Sequence, residues 1–159
     1  MENINVSFIL LTFSSLFTLI NPIGITPILL SMTEDESDSE YQVIIKKGII
    51  TAYIILTIFA IMGDLIFKFY GITIYAFMIA GGILFLRNSF DMIDSKISRE
   101  SSTPLETKEA IQKEDISVTP IGIPLIAGPG AITSIMILSS QTSSYIDKCI
   151  VHVNILITL

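Results

Sequence analysis

The sequence predicts an all-α, polytopic membrane helical bundle: two inverted three-helix repeats with broken first and fourth helices, the chain ending within its fifth span. Three observations predict it. Half of the 159 residues are hydrophobic and only 15% are charged, with a mean hydropathy of +0.73, a balance typical of the membrane class. Uncharged runs of spanning length recur along the chain, separated by short polar stretches. Two of those runs contain clusters of helix breakers. They are Asn21-Pro22-Ile23-Gly24-Ile25-Thr26-Pro27, and Thr119-Pro120-Ile121-Gly122-Ile123-Pro124 followed by Gly128-Pro129-Gly130. Backbone that leaves the helix among lipid tails would have unpaired donors and acceptors, so each break requires protein or water around it.

The first uncharged run, Asn3 to Thr33, is 31 residues long. One straight helix of that length measures about 46 Å, against a hydrocarbon core of about 30 Å. Pro22 and Pro27 each remove a backbone donor and crowd the preceding turn, so the expectation is a helix from Val6 to Ile20, a break, and a short second piece. In the acidic patch Glu34-Asp35-Glu36-Ser37-Asp38-Ser39-Glu40, Ser37 and Glu40 have capping-box spacing and place a helix start near Asp38. That helix continues through Lys46-Lys47 into an apolar segment, Gly48 to Phe67, whose single charge is Asp64. Lys68 to Gly71 reads as a tight turn, and a third segment follows from Ile72 to Leu86 and on to Ile93. The 18 uncharged residues between Lys68 and Arg87 just reach spanning length. Residues 1–93 therefore make the first three-span repeat.

From Asp94 to Asp115 the composition turns charged and Ser/Thr-rich, with Pro104 inside it, which reads as an exposed loop carrying one short helix around Glu106 to Lys113. Residues 116–159 begin the second repeat. Their uncharged run, Ile116 to Ile146, again has 31 residues and is broken near its start, with a clean helix expected from Ala131 onward. A fifth segment begins at Cys149 after Asp147-Lys148 and reaches Leu159 after 11 residues, too few to span. The expectation is a truncated or frameshifted product, or a fragment.

Basic residues set the orientation. Lys46, Lys47, Arg87, Lys96, Arg99, Lys108 and Lys113 fall on one side and Lys68 and Lys148 on the other, which puts the seven in the cytoplasm and the N-terminus outside. Both breaks then lie toward the cytoplasmic face. Mirror-related breaks of an inverted repeat belong at mirror-related depths, a conflict that a re-entrant stretch from Val118 to Pro129 removes. Paired discontinuous helices of this kind form substrate and ion sites in transporters.

The candidate substrate-lining residues are Asn21, Gly24, Thr26, Thr119, Gly128, Gly130 and Thr133, with Asp64 as a candidate proton or ion site. Each has a plainer reading. Asn21 either ligates a solute or caps the backbone groups that Pro22 frees. Asp64 is equally an interfacial carboxylate beside Lys68, and Arg87 with Asp91 reads as an i,i+4 pair. Thr133 and Ser134 either donate to a solute or bond their own backbone. Ala76, Ala80, Gly81 and Gly82, and Ala127 with Ala131, have small-residue spacing that lets membrane helices approach.

No catalytic constellation is present, so the chain does not read as an enzyme. His152 is the single histidine and Cys149 the single cysteine, which leaves no zinc ligand set and no internal disulfide. Gly128-Pro129-Gly130 lacks the following Lys and Ser/Thr of a phosphate loop. A net charge of −6 argues against nucleic acid. No cofactor is called for. The expected partners are the lipid bilayer, a small solute and, as a candidate, a second copy of the chain.

Three stretches carry a resemblance to a known family: Asn21-Pro22-Ile23-Gly24 with Pro27-Ile28, then Phe77-Met78-Ile79-Ala80-Gly81-Gly82-Ile83-Leu84-Phe85-Leu86, then Ile123-Pro124-Leu125-Ile126-Ala127-Gly128-Pro129-Gly130-Ala131-Ile132-Thr133. In this combination and order the chain resembles the MarC family of bacterial inner-membrane proteins. The resemblance implies a six-span, multi-pass protein of the cytoplasmic membrane whose biochemical activity is not established. Its architecture points to a small-solute transporter or exporter. The alternatives are a non-transporting structural membrane component and a nonfunctional truncated product. This chain departs from the family pattern by ending in the fifth span and by carrying Met78 where many relatives have a basic residue.

Overall fold

The structure, a computed structural model, describes residues 6–93, 116–142 and 144–159. Among the described residues every regular element is helical. The loop helix expected around Glu106 to Lys113 lies outside them, as does the side chain of Asp91.

Helix α1 spans Val6–Ile20 and α2 spans Pro22–Met32, the broken arrangement that the two prolines predict. Asn21 joins them in the left-handed region, at φ 48° and ψ 59°, a conformation that Asn tolerates better than most non-glycine residues. Backbone pairing runs across the break. Asn21 N–H donates to the Phe17 carbonyl at 3.0 Å and Ile25 N–H to the Asn21 carbonyl at 3.1 Å.

Helix α3 spans Asp38–Tyr70, with the expected capping box at Ser37 and Glu40. Its 33 residues reach about 50 Å, longer than the hydrocarbon core, so its polar first turns stand clear of the apolar segment. It ends on Gly71, whose φ of 65° is the left-handed C-terminal geometry that glycine adopts without strain. Ile72 N–H then reaches back to the Phe67 carbonyl at 3.0 Å. Helix α4, Ile74–Ile93, starts two residues later than expected because the turn consumes Ile72 and Thr73, and the Thr73 hydroxyl accepts from Ala76 N–H at 3.2 Å. Phe69, Tyr70 and Tyr75 around this turn are all exposed, as aromatic residues are where a membrane protein meets the headgroups.

The second half opens with Ser117–Ile126, a segment of wide turns and no continuous α-helix. Two i→i−5 bonds close it, from Ile121 to Ile116 at 3.3 Å and from Ala127 to Gly122 at 3.0 Å. Thr119 and Ile123 are extended; both precede proline, which disfavours the helical region for the residue before it. The Thr119–Pro120 and Ile123–Pro124 peptides are cis. Helix α5, Pro129–Ser140, follows at an angle of 60°, the geometry of a broken span or a re-entrant loop. Helix α6 spans Tyr145–Thr158 and begins four residues before the expected start at Cys149. The Ser144 hydroxyl accepts from Ile146 N–H at 3.2 Å, and Asp147 in the first turn favours a helix N-terminus.

The core forms where α5 and the wide-turn segment meet α3. The buried side of α3 is Gly48, Ala52, Leu56, Ala60, Gly63 and Phe67, mostly small residues that let neighbouring backbone approach. A Cβ on Gly48 would stand 2.6 Å from Ile121 Cγ2, one on Gly122 2.9 Å from Thr51, and one on Gly63 3.5 Å from Met136. Helix α5 is buried on most of its surface and packs against α1, α3 and α4, while α6 packs mainly against α1. Elements of residues 6–93 and of 116–159 therefore share one core. Ile50, Ile54, Ile58, Ile61 and Leu65, on the other side of α3, are exposed, the surface that lipid covers.

Val6–Met32 and Asp38–Tyr70 are long and apolar enough to cross a membrane, and the bent pair from Ser117 to Ser140 passes the same test when taken as one unit. The apolar part of α4, Ile74–Arg87, is shorter, because the turn before it removes residues that the uncharged run appeared to supply.

Candidate functional site

The second break ends at the start of α5, which lies against the last turn of α1. Gly128 is extended at φ −77° and ψ 165°, Pro129 opens the helix, and no side chain caps it. Gly130 and Ala131, the first residues there with an N–H, are buried. Those N–H groups have no partner within the helix and carry the positive end of its dipole. Gly130 fits between two other helices. A Cβ on it would stand 3.3 Å from Phe85 Cε1 of α4 and 3.6 Å from Leu19 Cδ2 of α1. Leu19 is two residues before Asn21, so the second break lies against the end of the helix that the first break terminates.

Thr133 is buried one turn into α5, and a Cβ on Gly81 of α4 would stand 2.5 Å from its Cγ2. Close approach of α4 and α5 therefore depends on Gly81, as the small-residue spacing predicts, whereas Gly82 has nothing within 4 Å of its Cβ position. Gly128 is half-buried beside the Pro124 carbonyl, 3.0 Å from its Cβ position. Thr119 is exposed. Asn21 is half-buried, and Gly24 and Thr26 are exposed.

At the first break the polar groups close locally. Asn21 Oδ1 accepts from Gly24 N–H at 3.2 Å, and the amide folds over the position a Cβ on Gly24 would take. The Thr26 hydroxyl donates to the Pro22 carbonyl at 2.7 Å. Asn21 thus acts as the N-cap of α2. The Gly130 and Thr133 region is joined to α1 and α4, while Asn21, Gly24 and Thr26 stay on their own helix.

Asp64 is exposed on α3 beside exposed Leu65 and Ile61, away from the start of α5. Lys68, one turn on, is also exposed. The His152 ring donates from Nδ1 to the Lys148 carbonyl at 2.8 Å. Among the described residues no group of His, Cys, Asp and Glu is arranged to hold a metal ion.

Several buried polar side chains escaped the sequence reading. Thr12 is fully buried on α1 and Asn154 is 3% exposed on α6. Ser139 on α5 donates to the Ala60 carbonyl of α3 at 2.5 Å. Thr57 on α3 is half-buried, with its hydroxyl buried and without a partner. Ser139 could have been marked by its helical spacing along α5. The helix that Asn154 meets could not.

A family model described as "MarC family integral membrane protein" matches residues 6–159. The chain is 42% identical over 150 residues to a UPF0056 membrane protein of Methanocaldococcus jannaschii, covering 94% of this chain and 66% of the relative. It is 44% identical over 138 residues to the UPF0056 membrane protein YvbG of Bacillus subtilis, covering 86% and 65%. A UPF0056 membrane protein of Aquifex aeolicus is 34% identical over 148 residues, covering 93% and 69%. The chain thus spans about two thirds of the length of these relatives. No solved structure matches it. The chain belongs to the MarC family of integral membrane proteins.

Proposed function

We propose that the protein moves a small solute across the cytoplasmic membrane, at a site built where the two broken helices adjoin. The observation that carries this reading is the uncapped, buried start of α5 packed against the end of α1. Uncapped N–H groups at the start of a half-helix are available to an acceptor on a solute, as in transporters with discontinuous helices. In this reading Gly128, Gly130 and Thr133 line the site, with Asn21, Gly24, Thr26 and Thr119 at its edge. The N-terminus lies outside and the site opens inward. The contacts of α1 with α6, and of α3 with α5, support an inverted-repeat ancestry, because exchanging the first and second halves exchanges these two pairs.

The test is uptake or efflux of candidate solutes in cells that express the chain, compared with Gly130→Leu. The substitution forces a side chain between Leu19 and Phe85 at the uncapped helix start. Transport that disappears while the amount of membrane-inserted protein is unchanged supports the reading; unchanged transport overturns it. A second reading, a non-transporting membrane component, is favoured by the local closure of Asn21 and Thr26. Under that reading any phenotype follows the loss of folded protein.

A further inference from the structure

Helix α4 lies along α5 in the opposite direction. Gln141, at the end of α5, donates from Nε2 to Met78 Sδ at 3.9 Å. Thr133 then meets Gly81, and Gly130, at the start of α5, meets Phe85. The covered residues of α4 form one narrow stripe, Ile74, Phe77, Gly81 and Phe85, spaced three or four apart. Tyr75, Ile79, Ile83 and Leu86, around the rest of the helix, are exposed. Among the described elements α5 is its main neighbour.

The start of α4 is tied more firmly than its far half. There Phe77 meets Phe67 of α3, with ring centroids 4.9 Å apart. This anchor adjoins the turn in which Gly71 takes a φ of 65° with open space at its Cβ position. Beyond Gly81, the Phe85 ring rests on Gly130. Elements with few buried contacts open at the lowest cost. In lipid the parted faces are covered again by acyl chains as apolar as the side chains they replace. The N–H groups of Gly130 and Ala131 have no partner within α5, so an acceptor that reaches them when α4 moves away offsets the lost packing. We propose that α4 is a gate: its far half swings about the Gly71 turn, and the Phe85 ring covers or uncovers the start of α5. What passes the gate rests on the transport reading, whereas the motion does not.

The experiment is amide hydrogen exchange of the purified full chain in detergent, read by mass spectrometry on the peptide that carries Gly130 and Ala131. Exposed Cys149 is first removed as Cys149→Ser. Gly81→Cys with Thr133→Cys then places two Cβ atoms 3.8 Å apart, the separation of a disulfide. Thr133→Cys also removes the Cγ2 methyl that a Cβ at position 81 would strike. Oxidation pins α4 to α5, and dithiothreitol releases it. Exchange at Gly130 and Ala131 should be at least about tenfold slower in the oxidised form than in the reduced form. In Phe85→Ala it should be at least about tenfold faster than in the unsubstituted chain. Exchange between Leu56 and Ala60 of α3 should not change in either comparison, which separates a moving gate from general loosening. The proposal is overturned if oxidation leaves exchange at Gly130 and Ala131 unchanged, or if Phe85→Ala does. Should the cysteine pair fail to fold, Phe85→Ala decides; should Phe85→Ala speed α3 equally, the pair decides, since its two forms share one sequence. Because the measurement uses no transported solute, a failed transport assay leaves its result standing.

Discussion

The Asn154 amide donates to the Ile9 carbonyl across 3.4 Å, joining residues 145 positions apart and tying the last helix to the first. Asn154 is buried, and a side-chain amide in an apolar interface needs such a partner. Interhelical hydrogen bonds in membranes contribute about 0.6 to 1.7 kcal/mol. Asn154→Ala should therefore lower stability by about 1 kcal/mol in mixed-micelle unfolding. An unmoved midpoint would show that apolar packing alone holds α6 against α1.

Thr12, one turn after Ile9, presents the opposite case. Its hydroxyl is buried without a partner, and valine has nearly the same shape. Thr12→Val should leave stability unchanged or raise it by about 1 kcal/mol, because an unsatisfied buried hydroxyl costs about 1 to 3 kcal/mol. A clear loss in the same assay would reveal a partner for that oxygen.

Three glycines should respond differently to the same methyl group. A Cβ at Gly48 would meet Ile121 at 2.6 Å and the Ser117 carbonyl at 3.2 Å, and one at Gly122 would meet Thr51 at 2.9 Å and that same carbonyl at 3.2 Å. Backbone cannot swing aside as a side chain can, so Gly48→Ala and Gly122→Ala should each cost about 1 to 3 kcal/mol. Gly82 has open space at its Cβ position and lies inside α4. Gly82→Ala should be neutral or stabilising by up to about 1 kcal/mol. Equal effects at all three positions would contradict the close packing on α3.

The capping box predicts a pH dependence at the start of α3. The Ser37 hydroxyl and then the Ser37 N–H hold the Glu40 carboxyl below its ordinary value of 4.5. A depressed carboxylate supports the fold above its unfolded value and loses that support as pH falls through the folded one. Amide-exchange protection in the first turn of α3, measured relative to the intrinsic exchange rate at each pH, should fall below about pH 4.5, and Ser37→Ala should remove most of that pH dependence. A turn that frays equally at pH 7 and pH 3 would rule this out.

Local chemistry was legible along the chain because it acts over three or four residues. Pro22 ends α1 at Ile20 whatever surrounds it, Ser37 and Glu40 start α3, and Gly71 stops it. Two boundaries were misplaced for equally local reasons. Thr73 delays α4 to Ile74, and Ser144 starts α6 at Tyr145. Asn21 had two readings, and the 3.2 Å bond to Gly24 shows it capping its own helix.

What the sequence by itself determined was the class of the molecule and where its helices are interrupted, since hydropathy, proline and capping residues act on the nearest turns. Only the tertiary structure decided that Gly130 comes to rest beside Leu19, that Ser139 finds Ala60, and that Thr12, Thr57 and Ser140 are sealed in without partners. The physical reason is that small residues permit close approach on several faces without specifying which helix will approach. That choice is made by the packing of all the helices at once.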